Sequence, residues 1–410
     1  MNKIELLKIK PLIEYFYSKK KPLFKNKKSS QLIDDNTRIF SIGNNSKKLK
    51  VRNAGIDLAR IVSMYGIIVE HSLGHGGALT KFSKYKELDF INIMFFYCVN
   101  AYALISGYIG YKSNKYSNLL YLWLWVIFYT SSITFYLNRF RPEFKTPKVN
   151  YKNFFPVVIG EYWYFTKYFG TYLFLPVINK GIVYLSKSEL RNVLMSFIFI
   201  FIIERNIINP RGDPFNIGNG YSVVWLLICF IMGAYFGKFN YNYHGFKNFI
   251  FCISLLIIFF YSTYFCYNIS FYPMQNAKGY YKAKLMFYLK QIFIKKINSL
   301  PMIIQSISVL LFLTQIKYNR HLAKIITFIG PLTFGVYIIH EYPLIRELFI
   351  RNLFAKDSSN LPLYSIINLI LLRVLKVFTI SAFIDYLRHI LFTLLRVRKI
   401  CIFIEKIIFK

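Results

Sequence analysis

The 410-residue chain is 55% hydrophobic and 20% aromatic, with a mean hydropathy of +0.37, and only 17% of its residues are charged. This composition excludes an ordinary soluble domain, which carries more charge and fewer long apolar runs. The balance of 53 Lys and Arg against 18 Asp and Glu gives a formal charge of +35; outside residues 1–52 these cations flank apolar segments and form no soluble basic face, which argues against nucleic-acid binding.

Residues 1–52 form a basic arm, in which 14 Lys and Arg outnumber 4 Asp and Glu. We expect this arm in the cytoplasm, because cations next to a membrane span favour that side. Its first part, Ile4 to Tyr17, fits either a short amphipathic helix on the membrane surface or a disordered tail. The arm has no apolar core of a cleavable signal peptide, so the first span is expected to act as the insertion signal.

Apolar segments of roughly 17–25 residues, the length that crosses a bilayer, follow along almost the whole chain. They predict an all-α fold, a polytopic transmembrane bundle of about ten spans over residues 53–395 with no soluble second domain. The basic tail at 396–410 is expected in the cytoplasm with the arm, because an even span count leaves both termini on one side. Residues 281–296 also fit an interfacial amphipathic helix, so the count is uncertain by one. The predicted spans are 54–73, 90–111, 117–138, 161–183, 190–208, 221–238, 248–268, 297–316, 324–350 and 362–393.

The first span, NAGIDLARIVSMYGIIVEHSLGHGG, carries the ionisable residues Asp57, Arg60, Glu70 and His71. A charge near the centre of a membrane helix costs about 2.5–3.5 kcal/mol on insertion scales, so it is retained where it meets a partner or a watery cavity. Arg60 and His71 are eleven residues apart, about three helical turns or 16 Å, and therefore share one face. Asp57 belongs to the same stripe. A plainer interpretation is an Asp57–Arg60 pair that anchors the helix end, with His71 as an interfacial histidine.

Four motifs in this order resemble those of the acyltransferase 3 family, membrane O-acyltransferases that modify surface glycans. The first is Arg60-x10-His71 in the first span. SGYIGYKSNKYS, which starts at Ser106, resembles the family's SG motif and the basic pair after it. EYWYFTKYFGTYLFLPVIN resembles its aromatic span, and FIGPLTFGVYIIHEYPLI resembles its late span with a histidine near the end. Together the motifs cover the chain from about residue 51 to 395.

The resemblance implies transfer of an acyl group from cytosolic acyl-CoA, usually acetyl-CoA, to a hydroxyl of a surface or cell-wall glycan. The chain departs from the family in having Lys112-x-x-Lys115 where many members have two arginines, which removes the bidentate fork that suits a phosphate. Many relatives also carry an esterase-like domain, and we expect none in this chain. We expect an enzyme of the plasma membrane, with membrane lipid around it and an oligomeric state that the sequence leaves open.

Transfer to a sugar hydroxyl needs a base that works near neutral pH, and an imidazole meets that need. His71 is therefore the candidate for this base or for a transient acyl carrier. Arg60 is a candidate for stabilising negative charge on the thioester oxygen or for binding the donor, and Asp57 or Glu70 for orienting either side chain. Candidate donor-binding residues are Ser106, Lys112 and Lys115; the two lysines also fit ordinary positive-inside anchors.

Candidate substrate residues lie in two later spans. Trp163 and Tyr164 suit stacking on a sugar or on the donor, although an interfacial aromatic belt explains them too. His340 and Glu341 would add polar groups to the cavity or lie at an interface. His71 and His75 stand four residues apart, but the glycines around His75 predict a helix end there, and the five cysteines show no metal spacing, so no metal site is expected.

Two other classes of protein fit the same spans. A transporter or flippase of a lipid-linked saccharide would also have a basic balance and a polar cavity, but it predicts related halves or helices broken at matching positions, and neither is found. A polymerase or ligase of such saccharides would be expected to carry a large outer loop, whereas the longest loops here have some twenty to thirty residues.

Overall fold

Every regular element in the computed structural model is helical across the residues that it describes, which are 53–142, 151–204, 212–239, 243–271, 279–293, 296–351 and 353–408. The predicted all-α class is thus confirmed for this part of the chain. The basic arm at 1–52 lies outside the described residues.

Helices of nine residues or more are numbered here in chain order. They are α1 Ala54–Leu73, α2 Glu87–Phe95, α3 Cys98–Gly110, α4 Tyr116–Phe140, α5 Trp163–Tyr184, α6 Lys187–Ile198, α7 Val223–Phe239, α8 Gly245–Phe271, α9 Tyr280–Phe293, α10 Leu300–Gln315, α11 Arg320–Ile329, α12 Thr333–Glu341, α13 Leu363–Leu394 and α14 Val397–Ile408.

Each of the ten predicted spans overlaps one of these helices or a consecutive pair, and the segment predicted as interfacial coincides with α9. In the part of the chain that the structure describes, five helical stretches can cross a membrane by length and composition: α2 with α3, α4, α8, α11 with α12, and α13. The helices α7 and α10 are apolar but shorter. Ten membrane crossings therefore remain a prediction, while the helix positions agree with the sequence pattern.

The ninth predicted span, 324–350, differs from the structure at its end. The helix α12 stops at Glu341, and a three-residue turn, Pro343–Ile345, and a π-helical segment, Arg346–Ile350, follow it. Pro343 explains the break, because proline has no amide hydrogen for the helical ladder and disfavours the helical conformation of the residue before it. The break places His340 and Glu341 at a helix terminus.

The first helix, α1, runs through the centre of the bundle. The Asn53 side chain caps its start by accepting from the Gly55 amide at 2.8 Å. The helix packs against α2, α3 and all of α10 to α13. Its closest approach is at Gly55, where an added Cβ would lie 2.1 Å from the Leu313 carbonyl oxygen of α10. Because neighbouring helices enclose α1, its ionisable side chains meet protein groups and cavities.

The helices α3 and α7 touch backbone to backbone through glycines. A Cβ on Gly107 would lie 1.8 Å from the Phe230 carbonyl oxygen, and one on Gly233 would lie 1.9 Å from that of Leu104. Small residues at a helix contact allow this close packing, which is typical of helices in a membrane. The contact holds α3 firmly beside α7.

A buried ion pair joins α13 to α4. Arg388 contacts Asp385 at 2.9 Å, and both side chains are nearly inaccessible. Asp385 also accepts from the Trp125 indole at 3.0 Å and from the Tyr129 hydroxyl at 2.8 Å. The two charged residues are three apart on α13, the spacing of a helix pair, and the two aromatic donors satisfy the carboxylate.

The tail predicted at 396–410 forms the helix α14 in its described part, and this helix packs on the start of α4. Cys401 is buried in the contact, and Arg398 donates to the Asn118 side chain at 2.7 Å. The tail is thus attached to the bundle.

Candidate active site

His71 lies in the last turn of α1, where that helix meets the end of α12. Its Nδ1 atom is 2.9 Å from the nearer carboxylate oxygen of Glu341 and 3.2 Å from Nε2 of His340. Its other nitrogen, Nε2, lies 3.6 Å from the Glu70 carboxylate. The structure therefore unites residues from the first and the ninth predicted spans, about 270 positions apart in the chain.

The contacts of His340 determine which nitrogen of His71 carries the proton. Nδ1 of His340 lies 2.6 Å from the Val336 carbonyl oxygen, which can only accept, so this nitrogen is the protonated one. Nε2 of a neutral His340 is then an acceptor. The carboxylate of Glu341 is an acceptor as well. Nδ1 of His71 therefore faces two acceptors, His340 Nε2 and Glu341, and is the nitrogen that carries the proton. The lone pair of His71 is thereby assigned to Nε2.

Glu341 is 5% exposed and makes contacts on both carboxylate oxygens. One oxygen meets His71, and the other lies 3.3 Å from the guanidinium of Arg346, in the segment after the proline break. A carboxylate at this depth remains ionised only with such partners. Arg346 and His71 therefore hold Glu341 charged and in place.

A cavity of about 350 Å³ adjoins His71. Polar groups and aromatic rings share its wall, and the His71 side chain is 13% exposed. The volume is within the range of small-ligand sites. It is lined by Ile67, Glu70, His71, His75, Phe95, Phe96, Val99, Trp163, Tyr221, Ile297, Glu341 and Arg346. We call it the polar cavity.

A second, narrower cavity of about 40 Å³ also adjoins His71. Its wall is almost wholly apolar and aromatic, and it is lined by Met64, Ile67, His71, Val99, Tyr102, Trp163, Tyr164, Phe334 and Tyr337. We call it the aromatic cavity. His71, Ile67, Val99 and Trp163 line both cavities. The imidazole therefore lies at the boundary between a polar compartment and an apolar one.

Arg60 and Asp57 form a pair of their own, at 2.6 Å, further down α1. Asp57 is 1% exposed, and a Cβ on Gly330 would lie 2.6 Å from its Cβ, so the space around it is full. Neither residue lines the polar or the aromatic cavity. The structure thus pairs Asp57 with Arg60, and of the carboxylates at His71 the nearest is Glu341. A catalytic role for Arg60 stays a prediction.

The candidate donor residues lie apart from His71, at the ends of α3 and α4. Lys115 lines a cleft of about 560 Å³ between the start of α4 and α14, together with Arg398 and Lys406. The ammonium of Lys112 lies 5.2 Å from the centre of the Tyr111 ring. The Ser106 hydroxyl donates to the Tyr102 carbonyl oxygen of its own helix at 2.8 Å. A role of Ser106, Lys112 or Lys115 in binding the acyl donor therefore stays a prediction.

Trp163 and Tyr164 lie at the start of α5, beside His71. The Trp163 ring is 4.5 Å from the Tyr221 ring, centre to centre, and forms part of both cavity walls. Arg346, Tyr221 and Tyr337 are site residues that the sequence analysis did not select. A signal for Arg346 was present, since Pro343 indicates that the chain leaves the helix there and turns back toward the site.

Three atoms that could act as metal ligands lie within 4.8 Å of one another; they belong to His71, His340 and Glu341. His75 is outside this group, although its ring centre is 5.4 Å from that of His71. Burial, and next the neighbouring His71, lower the pKa of His75. Nδ1 of His71 is hydrogen-bonded to Nε2 of His340 at 3.2 Å and lies at ion-pair distance from Glu341, which accounts for the short distances within the group.

A model of a protein family described as an acyltransferase domain, Acyl_transf_3, matches residues 53–384. No curated protein and no solved structure matches the chain.

Proposed function

Since this chain belongs to the acyltransferase 3 family and is a membrane acyltransferase, we propose that it transfers acetyl from acetyl-CoA to a hydroxyl of a surface or cell-wall glycan. The observation that carries the proposal is the contact of His71 with Glu341 at the wall of the polar cavity. It supplies an oriented base at the wall of a space of ligand size.

In the proposed reaction, Nε2 of His71 removes the proton from the acceptor hydroxyl as its oxygen attacks the thioester carbonyl carbon. The carbonyl π electrons move to oxygen and form a tetrahedral intermediate. When the intermediate collapses, the carbon–sulfur bond breaks and the coenzyme A thiolate takes the proton from His71. Glu341 stabilises the imidazolium formed between these steps, because its charge is 2.9 Å from Nδ1. The products are the glycan ester and free coenzyme A.

The aromatic cavity supports acetyl as the transferred group. Its volume of about 40 Å³ admits only a few heavy atoms. The pantetheine arm would reach His71 along α1 from the cytosolic side, with Lys112 and Lys115 near the phosphates of the coenzyme. A lysine ammonium attracts a phosphate as a point charge and lies far from the reacting atoms. We therefore expect the two lysines to lower KM for acetyl-CoA more than they raise kcat.

The polar cavity supports a glycan acceptor. Trp163 and Tyr221 offer flat aromatic faces, which stack well on sugar rings, and Glu70 offers an acceptor for sugar hydroxyls. In the proposed arrangement the chain spans the plasma membrane with both termini in the cytoplasm, so the donor and the acceptor approach His71 from opposite sides.

The test uses membranes that contain the native protein, acetyl-labelled acetyl-CoA and the surface glycan of the host. We expect the native protein to label the glycan, and His71→Ala to lose at least about 100-fold in rate, the usual contribution of a general base. The matched control is His321→Ala, since His321 is exposed at the start of α11. Equal labelling by native protein and His71→Ala would remove the imidazole from the reaction. Absence of label with the native protein would refute the proposed transfer and favour a transporter of a lipid-linked saccharide.

A further inference from the structure

Two buried tyrosine hydroxyls of residues in the wall of the aromatic cavity donate to no acceptor among the described residues. They belong to Tyr337 of α12 and Tyr164 of α5, whose rings meet edge to face with centres 6.2 Å apart. Tyr337 is only 6% exposed. Both residues line the cavity together with His71, so the two tyrosines bound the space in which an acyl group would react.

Neighbouring tyrosines of the same cluster are satisfied. The Tyr162 hydroxyl donates to the Ile338 carbonyl oxygen at 3.0 Å, and the Tyr102 hydroxyl donates to that of Arg60 at 2.8 Å. A buried hydroxyl without a partner costs about 1–3 kcal/mol. Such a cost is usually explained by a ligand or a catalytic role. Tyr337 and Tyr164 therefore differ from the tyrosines around them, because no acceptor in the described part of the protein binds their hydroxyl protons.

The start of α5 adds positive potential at the same place. Its N-cap residue is Tyr162, and no side chain caps the helix. The amides of the first turn are consequently available, and those of Tyr164 and Phe165 interact with the Tyr337 hydroxyl. A phenol oxygen that faces such amides is polarised so that its own proton becomes a better donor.

We propose that the Tyr337 hydroxyl, assisted by that of Tyr164, binds the carbonyl oxygen of the acyl thioester and stabilises the oxyanion of the tetrahedral intermediate. This inference rests on the proposed acyl transfer and names its electrophilic subsite. As the acceptor oxygen bonds to the carbonyl carbon, the π electron pair moves to the carbonyl oxygen, which the two phenol protons then hold. The pair returns when the carbon–sulfur bond breaks, and the phenols keep their protons throughout.

The subsite explains how the site works without Arg60 at the reacting atoms. The Arg60 guanidinium is bound to Asp57 at 2.6 Å and lines neither cavity, whereas Tyr337 lies next to the catalytic cluster, with its ring centre 6.3 Å from that of His340. Neutral donors also suit an apolar wall, because they impose no buried charge before the substrate arrives.

The test compares Tyr337→Phe and Tyr164→Phe with Tyr162→Phe in the labelled acetyl-transfer assay, together with the thermal unfolding midpoint of each protein. Removal of one oxyanion donor typically lowers kcat about 100- to 1000-fold. We expect that loss for Tyr337→Phe, a smaller loss for Tyr164→Phe, and an unchanged KM for acetyl-CoA in both. Their unfolding midpoints should fall by less than that of Tyr162→Phe, because neither hydroxyl donates a hydrogen bond among the described residues.

The control should behave in the opposite way, because Tyr162→Phe removes a hydrogen bond within the protein: its midpoint should fall while kcat stays within about threefold of native. Native kcat in Tyr337→Phe would overturn the subsite and leave the acyl-transfer proposal intact. A fall in kcat that only accompanies a lowered midpoint, as for a structural residue, would overturn it too. If the native protein transfers no acetyl group, both proposals fail together.

Discussion

Replacement of Glu341 by glutamine tests the base assignment directly. The substitution keeps the size of the side chain but removes its charge, and its amide can donate to Nδ1 of His71, where the carboxylate only accepts. A donor at that position favours the tautomer with the lone pair on Nδ1, which leaves Nε2 protonated and unable to act as the base. We therefore expect Glu341→Gln to lower kcat strongly while KM for acetyl-CoA changes little.

The size of the effect follows from the contact distance. Opposite unit charges separated by the 2.9 Å between His71 and Glu341 attract by about 6 kcal/mol at an effective dielectric constant of about 20. Arg346, at 3.3 Å from the other carboxylate oxygen, offsets part of this attraction in the native protein. A loss of about 100- to 10,000-fold in kcat, or about 2.7–5.4 kcal/mol, is therefore expected.

The assay measures the initial rate of labelled acetyl transfer over a range of acetyl-CoA concentrations, with the glycan concentration held constant. The matched control is Glu347→Gln, because Glu347 is 51% exposed and pairs with Arg351 outside the site; it should stay within about twofold of native. Arg346 is 33% exposed and can be hydrated when its partner is lost, so the unfolding midpoint of Glu341→Gln should fall only slightly. A kcat for Glu341→Gln within tenfold of native would refute the orienting role of the carboxylate.

Three further predictions concern stability and metal. Gly335→Ala should lower the free energy of unfolding by about 1–3 kcal/mol, because its Cβ would lie 2.1 Å from Cγ of Asp385; Gly181→Ala, with open space around it, should be neutral or stabilising in the same denaturation assay. Arg388→Met should cost about 3–5 kcal/mol by leaving Asp385 buried and unpaired, whereas Arg351→Met, in an exposed pair, should cost under about 1 kcal/mol. Treatment with a chelator should leave acetyl transfer unchanged; a loss that added zinc restores would contradict the hydrogen-bonded assignment of the histidine–glutamate cluster.

Features that depend on local spacing could be predicted from the sequence. The positions of the helices follow from runs of apolar residues, and the Asp57–Arg60 contact follows from a separation of three residues on a helix. The family resemblance was likewise carried by short motifs, and the match of residues 53–384 confirms it. The number of membrane crossings could not be derived from the apolar runs in the same way. The helix α1 shows the reason, since it is long enough to span a membrane but carries three charged side chains.

Contacts between distant segments could not be predicted in this way. His71 and Glu341 were both selected, but as a catalytic and a substrate residue, because one sequence contains no information on which spans are neighbours. Asp57 and Glu70 were preferred as orienting carboxylates for the same reason, being close in sequence. The end of α12 is different, since Pro343 was visible and its physical meaning is general; treating 324–350 as one span concealed the position of Arg346.

The terminus of α12 makes the geometry around His71 possible. Adjacent residues in a helix project about 100° apart, so His340 and Glu341 would not ordinarily approach the same atom. Here Nδ1 of His340 turns back to the Val336 carbonyl oxygen, while Glu341, at the last helical position, is held from beyond the break by Arg346. Two acceptors converge on one nitrogen of His71. A continuous helix through 350 would turn Arg346 away from Glu341, because residues five apart in a helix lie about 140° apart around its axis. The proline break therefore belongs to the site as much as the residues that it positions, since it places Arg346 against the carboxylate that contacts His71.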